Sequence, residues 1–188
     1  MTPNTSESDM SEIPELPTLH GERVTVRPPR AGELDTLSER IADDPQTSRW
    51  WSTSAATVRD DWFGEPDYHV LVVEQGGATL GIVAFGEVTT VEYRSAGIDI
   101  ALFSGGVGKG LGTETMRLLA EWLMTERGHH RLTIDPALAN ERAIHVYEKV
   151  GFKSIGVARQ YERASDGTWH DNLLMDMLKA DFVEAGGR

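Results

Sequence analysis

The sequence predicts a mixed α/β domain in which helices cover the faces of a central sheet. Two observations lead to this fold class. The chain has 188 residues, a length that suits one domain with a substantial buried core. Apolar residues recur with a spacing of two in some segments and with helical spacing in others. The order of these segments, β-α-α-β-β-β-α-β-α-β-β, is typical of a mixed sheet packed against helices.

The first half of the chain supplies four predicted strands and two predicted helices. Apolar positions alternate in the strands, whereas those of the first helix fall on one helical face. Gly76-Gly77 separates two apolar runs and is typical of a tight hairpin turn. The predicted strands cover 22–28, 67–75, 78–88 and 93–103, and the predicted helices cover 31–44 and 54–63.

The second half begins with a helix of about four turns whose apolar residues form one stripe, and Gly128 ends it. Pro136 stops the strand that follows. Asn140 is a suitable N-cap for the next helix, which Gly151 ends. Two final segments form a closing antiparallel pair. The predicted strands of this half cover 130–136, 153–163 and 168–178.

The composition restricts the chemistry that the domain can perform. The chain contains no cysteine, which excludes disulfides, thiolate metal sites and cysteine nucleophiles. Its net charge of −12 argues against a nucleic-acid partner. The charge is compatible with a cationic small-molecule substrate, and solubility alone is the alternative explanation. The adjacent His129 and His130 make a poor chelate without further ligands, so no metal site is predicted.

The amino-terminal segment differs in composition from the rest of the chain. Residues 1–18 contain four acidic residues and no Lys or Arg, so we expect a disordered acidic tail before a single domain over 19–188. No apolar run approaches the roughly 20 residues of a membrane span, and the segment lacks the features of a secretory signal. We therefore expect a cytoplasmic protein without a membrane partner.

A glycine-rich loop, "VGKGLGTETM" over 107–116, lies between an apolar strand and a helix. Glycines let backbone N–H groups turn toward a ligand, and the helix adds its positive end, so this arrangement can bind a phosphate. The spacing matches neither the P-loop nor the dinucleotide fingerprint. An ordinary glycine-rich turn between a strand and a helix remains the alternative at this point.

The segment that follows makes the pattern more specific. "RLTIDPALANERAIHVYEKVGF" over 131–152, preceded by this loop and helix, resembles the GNAT superfamily of acyl-CoA-dependent N-acyltransferases over roughly residues 22–178. The resemblance implies a mostly antiparallel sheet with a splay between the fourth and fifth predicted strands. It also implies acetyl-CoA as co-substrate, bound through its pyrophosphate at the glycine loop and through its pantetheine arm in the splay.

The resemblance assigns the co-substrate contacts residue by residue. Aligning the family's loop glycines with Gly110 and Gly112 puts Val107 where Arg or Gln is usual. Because backbone N–H groups carry most of the pyrophosphate binding in this superfamily, the departure weakens the match without breaking it. The predicted co-substrate residues are Ile100, Ala101, Leu102, Val107, Gly108, Lys109, Gly110, Leu111, Gly112, Thr113, Asn140, Ala143 and Tyr147.

Tyr147 follows Asn140 by seven residues, the spacing at which the superfamily places a tyrosine hydroxyl near the sulfur of coenzyme A. The resemblance therefore makes Tyr147 the candidate general acid, and a packing tyrosine is the alternative. Asn140 can cap its helix, bind the pantetheine arm, or do both.

Two aspartates interrupt apolar strands at the predicted splay: Asp99 in "GIDIAL" and Asp135 in "LTIDP". A buried carboxylate without a partner is costly, and the protonated amine of a substrate would neutralise it. A carboxylate beside that amine can then accept its proton. The alternative is that these aspartates face solvent or pair with Arg94 or Arg131.

Within the superfamily, these segments are most similar to aminoglycoside 6'-N-acetyltransferases, which carry Asp in both strands. That resemblance implies Asp99 as the base, Asp135 as an amine ligand, and Trp50 and Trp51 as a platform over the sugar. The two tryptophans could equally form a hydrophobic plug under the second helix.

The predicted function is therefore transfer of acetyl from acetyl-CoA to a cationic amine, with an aminoglycoside as the first acceptor. The transfer is direct within a ternary complex. Polyamines, protein N-termini and the hydroxylysine of siderophores are alternative acceptors, and a non-catalytic acyl-CoA-binding module is the alternative outside enzymes. The sequence is compatible with a monomer or a homodimer.

Overall fold

The computed structural model describes residues 16–50, 54, 56, 58, 68–164 and 167–187. Within these residues the chain forms eight strands and four α-helices. The strands are β1 Leu19–His20, β2 Thr25–Arg27, β3 Tyr68–Gln75, β4 Ala78–Val88, β5 Ser95–Leu102, β6 Arg131–Ile134, β7 Lys153–Arg163 and β8 Trp169–Leu178. The helices are α1 Glu33–Asp43, α2 Leu111–Thr125, α3 Glu141–Val150 and α4 Lys179–Glu184.

All eight strands form one sheet in the order β1-β2-β3-β4-β5-β6-β8-β7. Every neighbouring pair is antiparallel except β5 and β6, which are parallel. The β5–β6 pairing covers only Ala96 opposite Leu132 and Gly97 opposite Thr133. Beyond Gly97 the two strands no longer pair, so the predicted mixed sheet with a splay between these strands is confirmed.

The sheet carries an apolar core on each face. Successive residues of β3 alternate between them: Leu71 and Val73 pack with α2 and α3, whereas Val70 and Val72 pack with α1. Because side chains of a strand point to opposite faces in turn, a strand buried on both faces reads as a continuous apolar run. The predicted covering of both faces by helices is confirmed.

Most predicted elements agree with the structure within a few residues. Gly76 and Gly77 both have positive φ, 57° and 82°, as the predicted hairpin turn requires. The short β1 and the terminal α4 are absent from the prediction, because two and six residues give too little periodicity to detect. The second predicted helix, over 54–63, lies largely outside the described residues, as does the predicted tail up to residue 15.

Candidate functional site

A cavity of about 710 Å³ opens where β5 and β6 separate. Its walls come from the end of β5, the glycine loop, the end of β6, α3, β7 and the turn before residue 51. Because β5 and β6 do not pair beyond Gly97, the opening follows directly from the sheet topology. The cavity gathers residues that are far apart in the sequence, including Trp50, Asp99, Asp135 and Tyr147.

Asp99 and Asp135 lie at the same level of the splay. The parallel register pairs Gly97 with Thr133, and two further residues along each strand lead to Asp99 and Asp135. Both aspartates line the cavity. Arg131 pairs with Asp176 at 2.8 Å, and Arg94 donates a hydrogen bond to the carbonyl of Arg127 at 2.5 Å. The alternative pairing of the two aspartates with these arginines is therefore wrong.

Tyr68 donates a hydrogen bond to Asp99 Oδ2 at 2.5 Å. Tyr68 lies opposite Gly86 of β4, and Asp99 lies opposite Ala84, so both side chains are on the same sheet face. Since Gly86 has no side chain, the Tyr68 ring can cross β4 to reach β5. Burial raises the pKa of Asp99 to about 6, and the charges of Asp135 and Glu162 add to the rise, while the Tyr68 hydrogen bond opposes it.

Both the backbone carbonyl and the side-chain carboxylate of Asp135 accept a hydrogen bond. The amide nitrogen of Asn172 donates to the Asp135 carbonyl at 2.8 Å, and the Tyr161 hydroxyl hydrogen-bonds to the carboxylate. Burial raises the pKa of Asp135, and the bond from Tyr161 opposes that rise. The cavity therefore holds two carboxylates whose ionised forms are stabilised when a cation enters.

Tyr147 lies on α3 with only 7 % of its surface exposed, packs edge-on against Phe152, and also lines the cavity. Burial raises the pKa of its hydroxyl, and the negative charges of Asp99 and Asp135 raise it further. Within the described part of the chain, no protein group hydrogen-bonds to this hydroxyl. Asn140 Oδ1 accepts a hydrogen bond from the Ala143 N–H at 3.2 Å, which confirms it as the N-cap of α3.

The glycine loop has the backbone that an anion site needs. Gly108 and Gly110 have φ of 79° and 76°, values that favour glycine, and Gly110 is the N-cap of α2 without a side-chain cap. The Arg23 guanidinium binds the opposite side of this loop through the carbonyls of Lys109 and Gly110, at 2.9 and 3.4 Å. Its Nε pairs with Glu114 at 2.8 Å. Arg23 thus occupies these two carbonyls, while Gly108, Gly110 and Gly112 of the loop line the cavity.

Not every predicted loop residue offers its side chain to the cavity. The Lys109 ammonium donates to the Gly105 carbonyl at 2.9 Å, and Leu111 is buried in the core with 1 % exposed. Neither Lys109 nor Leu111 lines the cavity, so the structure does not place these two predicted co-substrate residues in the site. The other predicted co-substrate residues line the cavity: Ile100, Ala101, Leu102, Val107, Gly108, Gly110, Gly112, Thr113, Asn140, Ala143 and Tyr147.

Trp50 lines the cavity on the side of the predicted acceptor, and the Arg49 guanidinium lies 4.8 Å from its ring centre. Trp51 lies outside the described residues. The turn that carries Trp50 is fixed by Asp44, which accepts hydrogen bonds from the N–H groups of Gln46 and Ser104 at 2.9 and 3.0 Å. This carboxylate ties the Trp50 turn to the segment after β5.

Sequence reasoning missed several residues of the site. Tyr68, Tyr161, Glu162 and Asn172 lie outside the motifs, and Arg142 and Lys149 lie within the segment 131–152 without having been predicted as site residues. Arg142 and Lys149 supply positive charge on α3, where their positions resemble any exposed helical face. A tyrosine at the start of β3 carries no local signal that it reaches β5. The part that Tyr68 plays in the site becomes visible only through the register of the strands.

The described residues contain no group of three or more side chains suited to holding a metal ion. His129 is buried and contacts the Glu87 carboxylate at 2.5 Å, and Arg127 pairs with the same carboxylate at 2.7 Å. These contacts connect the end of β4 to the loop after α2. No helix in the described part of the chain is long and apolar enough to cross a membrane.

Comparison with known proteins agrees with this fold. The family described as "Acetyltransferase (GNAT) domain" matches residues 23–153, and the chain belongs to this family. Members of the family transfer acetyl groups from acetyl-CoA. The chain is therefore a GNAT-type acetyltransferase.

Three relatives show what the chain is similar to. Spermidine N(1)-acetyltransferase of Escherichia coli K12 is 31% identical over 146 residues, covering 68% of this chain and 77% of that protein. The kanamycin resistance protein of Rhizobium radiobacter is 43% identical over 61 residues, covering 32% of this chain and 56% of that protein. The structure of a Vibrio cholerae spermidine N-acetyltransferase, in complex with CoA and spermine, superposes with a TM-score of 0.73 at 19% identity, covering 87% of this chain and 99% of that one.

Proposed function

We propose that the chain transfers the acetyl group of acetyl-CoA to a primary amine of a polycationic small molecule, with the 6'-amine of an aminoglycoside as the first acceptor to test. The observation that carries the proposal is the placement of Asp99 and Asp135 at one level of the splay, lining one cavity with Trp50. Carboxylates attract ammonium groups, and an aromatic face binds both cations and sugar rings.

The residues present fit acetyl-CoA. The loop amides at Gly108, Gly110 and Gly112 suit the pyrophosphate. The edge of β5 that faces β6 has no strand partner at Ile100 to Leu102 and suits the pantetheine arm. Arg142 and Lys149 add positive charge to the same cavity for the phosphates. When bound, acetyl-CoA would supply the acetyl group as a thioester, and coenzyme A would leave as the free thiol.

The chain's own residues then handle the protons. Asp99, whose pKa lies at about 6, is mostly ionised at neutral pH and can take the proton that the amine loses as it is acylated. Tyr68 holds one oxygen of this carboxylate, and Asp135 keeps a second negative charge beside the amine. Tyr147, whose hydroxyl stays protonated, can donate to the departing thiolate.

A polyamine such as spermidine is the second candidate acceptor. It is supported by the 31% identity with a spermidine N(1)-acetyltransferase over 68% of the chain, whereas the kanamycin resistance protein matches only 32% of the chain. Both candidates present several ammonium groups, so the acidic cavity supports each of them.

A thiol-release assay with acetyl-CoA tests the proposal. The acceptors are matched 6'-amino and 6'-hydroxy aminoglycosides, spermidine, and a basic peptide with a free N-terminus. Turnover confined to the 6'-amino compounds supports the aminoglycoside, and turnover confined to spermidine replaces it with the second candidate. Turnover of the peptide alone, or of none of them, contradicts the proposal.

A further inference from the structure

An irregularity in the edge strand β7 lies beside the acceptor end of the cavity. The register of β7 against β8 shifts between Ala158 and Glu162, which marks a β-bulge. Gln160 within it has φ of 50°, the only positive φ among the non-glycine residues that the structure describes. Its N–H donates to the Asp171 carboxylate at 2.7 Å. The Asp171 carboxylate therefore stabilises Gln160 in its unfavourable backbone conformation by accepting a hydrogen bond from it.

The bulge changes which side chains face the cavity. Consecutive residues of a regular strand point to opposite faces, so at most one of two neighbours would reach the same cavity. Tyr161 and Glu162 are consecutive, and both line it. Bulges beside binding sites redirect side chains in this way. Glu162 thus adds a third carboxylate to a cavity that already contains Asp99 and Asp135.

A second, independent feature of the same cavity suits a hydrogen-bond donor. Asn172 of β8 is 3 % exposed and lines the cavity, and its amide nitrogen is used on the Asp135 carbonyl. Its amide oxygen has no hydrogen-bond partner within the described part of the chain. A buried acceptor left unpaired is costly, and an ammonium group entering beside it would supply the missing donor.

Resting on the proposed function, we propose that Glu162 and the amide oxygen of Asn172 form a subsite for a second ammonium group of the acceptor, with Tyr161 as its wall and the bulge at Gln160 as the feature that creates it. Asp99 and Asp135 serve the reacting amine, and Glu162 selects acceptors with a further cationic group. The charge of Glu162 already contributes to the raised pKa of Asp99, in keeping with their closeness. The acceptor class is a polyamine or an amino sugar, in contrast to a monoamine.

The test compares acceptors that differ by one charge. The ratio of kcat/KM for spermidine or kanamycin to kcat/KM for butylamine is measured in the wild type, in Glu162→Gln and in the exposed Glu92→Gln, which removes the same charge elsewhere. We expect Glu162→Gln to lower the ratio by roughly tenfold, the size of one lost hydrogen bond to a charged group, and Glu92→Gln to leave the ratio unchanged. An equal effect of Glu162→Gln on monoamines and polyamines would overturn the subsite.

Binding separates this inference from the proposed function. Calorimetry of spermidine and of kanamycin with the CoA-bound protein reports affinity whether or not acetyl transfer occurs. Weaker binding in Glu162→Gln together with an absence of turnover in every variant supports the subsite and contradicts the proposed reaction. Turnover of polyamines together with unchanged binding in Glu162→Gln supports the proposed reaction and contradicts the subsite.

The role of the bulge has its own pair of variants. Asp171→Ala removes the acceptor of the Gln160 N–H and is expected to lower the polyamine-to-monoamine ratio, whereas Asp171→Asn retains an oxygen acceptor and is expected to restore the ratio. Equal ratios in Asp171→Ala and wild type would show that the bulge does not orient Glu162.

Discussion

At the level of single residues, the proposed chemistry depends on Asp99, a carboxylate with a pKa raised to about 6 that accepts a hydrogen bond from Tyr68. We expect Asp99→Asn to reduce kcat/KM on the order of 10²-fold, as loss of a general base does, with the affinity for acetyl-CoA nearly unchanged. In the wild type, kcat/KM should rise with pH through about pH 6, because burial raises the pKa of Asp99 to about 6 and only the ionised form accepts a proton. A pH–rate profile and CoA titration measure both; full activity of the variant removes Asp99 from the mechanism.

The same carboxylate costs the protein stability. The folded-state pKa of Asp99 is raised from 3.8 to about 6, so the folded state binds more protons than the unfolded state between those values, and stability falls as pH rises through that window. Asp99→Asn keeps an oxygen for the Tyr68 hydroxyl and removes the charge. Its free energy of unfolding should exceed that of wild type at pH 7 by up to about 3 kcal/mol, and the difference should vanish near pH 4. Urea unfolding at both pH values measures this, and equal stabilities at pH 7 would contradict it.

For Tyr147, a role in proton transfer can be separated experimentally from a role in packing. Tyr147→Phe keeps the ring against Phe152 and removes only the hydroxyl. We expect kcat to fall while KM for acetyl-CoA changes little, because in the proposed reaction the hydroxyl protonates the leaving thiolate. Steady-state kinetics with the best acceptor measure the two constants. Wild-type kcat in this variant would reassign Tyr147 to packing.

At the level of elements, a residue outside the glycine loop stabilises the conformation of that loop. Arg23, just before β2, binds the carbonyls of Lys109 and Gly110 and pairs with Glu114 of α2. Arg23→Ala frees those peptide groups, so we expect KM for acetyl-CoA to rise roughly 3- to 10-fold, the size of one or two lost hydrogen bonds. Lys179→Ala on α4, which removes the same charge from an exposed position, is the control. An equal rise in both variants would point to net charge rather than to loop geometry.

At the level of the whole molecule, the net charge of −12 acts on encounter rather than on chemistry. An acidic field attracts a polycationic acceptor, and salt screens it over a Debye length of about 10 Å at 0.1 M. We therefore expect kcat/KM for the polycationic acceptor to fall as salt rises from about 0.05 M to about 0.5 M, and kcat to change less. Initial rates at subsaturating and saturating acceptor measure the two. A rate independent of salt would show that the cavity alone, without the wider field, recruits the acceptor.

Local sequence patterns predict some residues of the candidate site, and the tertiary structure is needed for the others. Asp99, Asp135, Asn140 and the loop glycines could be predicted because each interrupts or punctuates a local pattern: a carboxylate in an apolar strand, a cap, a turn. Tyr68 could not be predicted, because it reaches Asp99 only through the register of three strands and the missing side chain of Gly86. Local sequence carries no trace of a contact between residues 31 positions apart.

The sequence by itself determined most of the element order apart from β1 and α4, the family, the two interrupting aspartates and the position of the glycine loop, because these depend on short-range periodicity and on glycine conformation. Only the tertiary structure decided that β5 and β6 pair over two residues and then part, that Arg23 holds the loop from behind, and that a bulge at Gln160 turns both Tyr161 and Glu162 into the cavity. The physical reason is that strand register and splay are properties of paired chains, and the pairing energy is spread over residues that no local window contains.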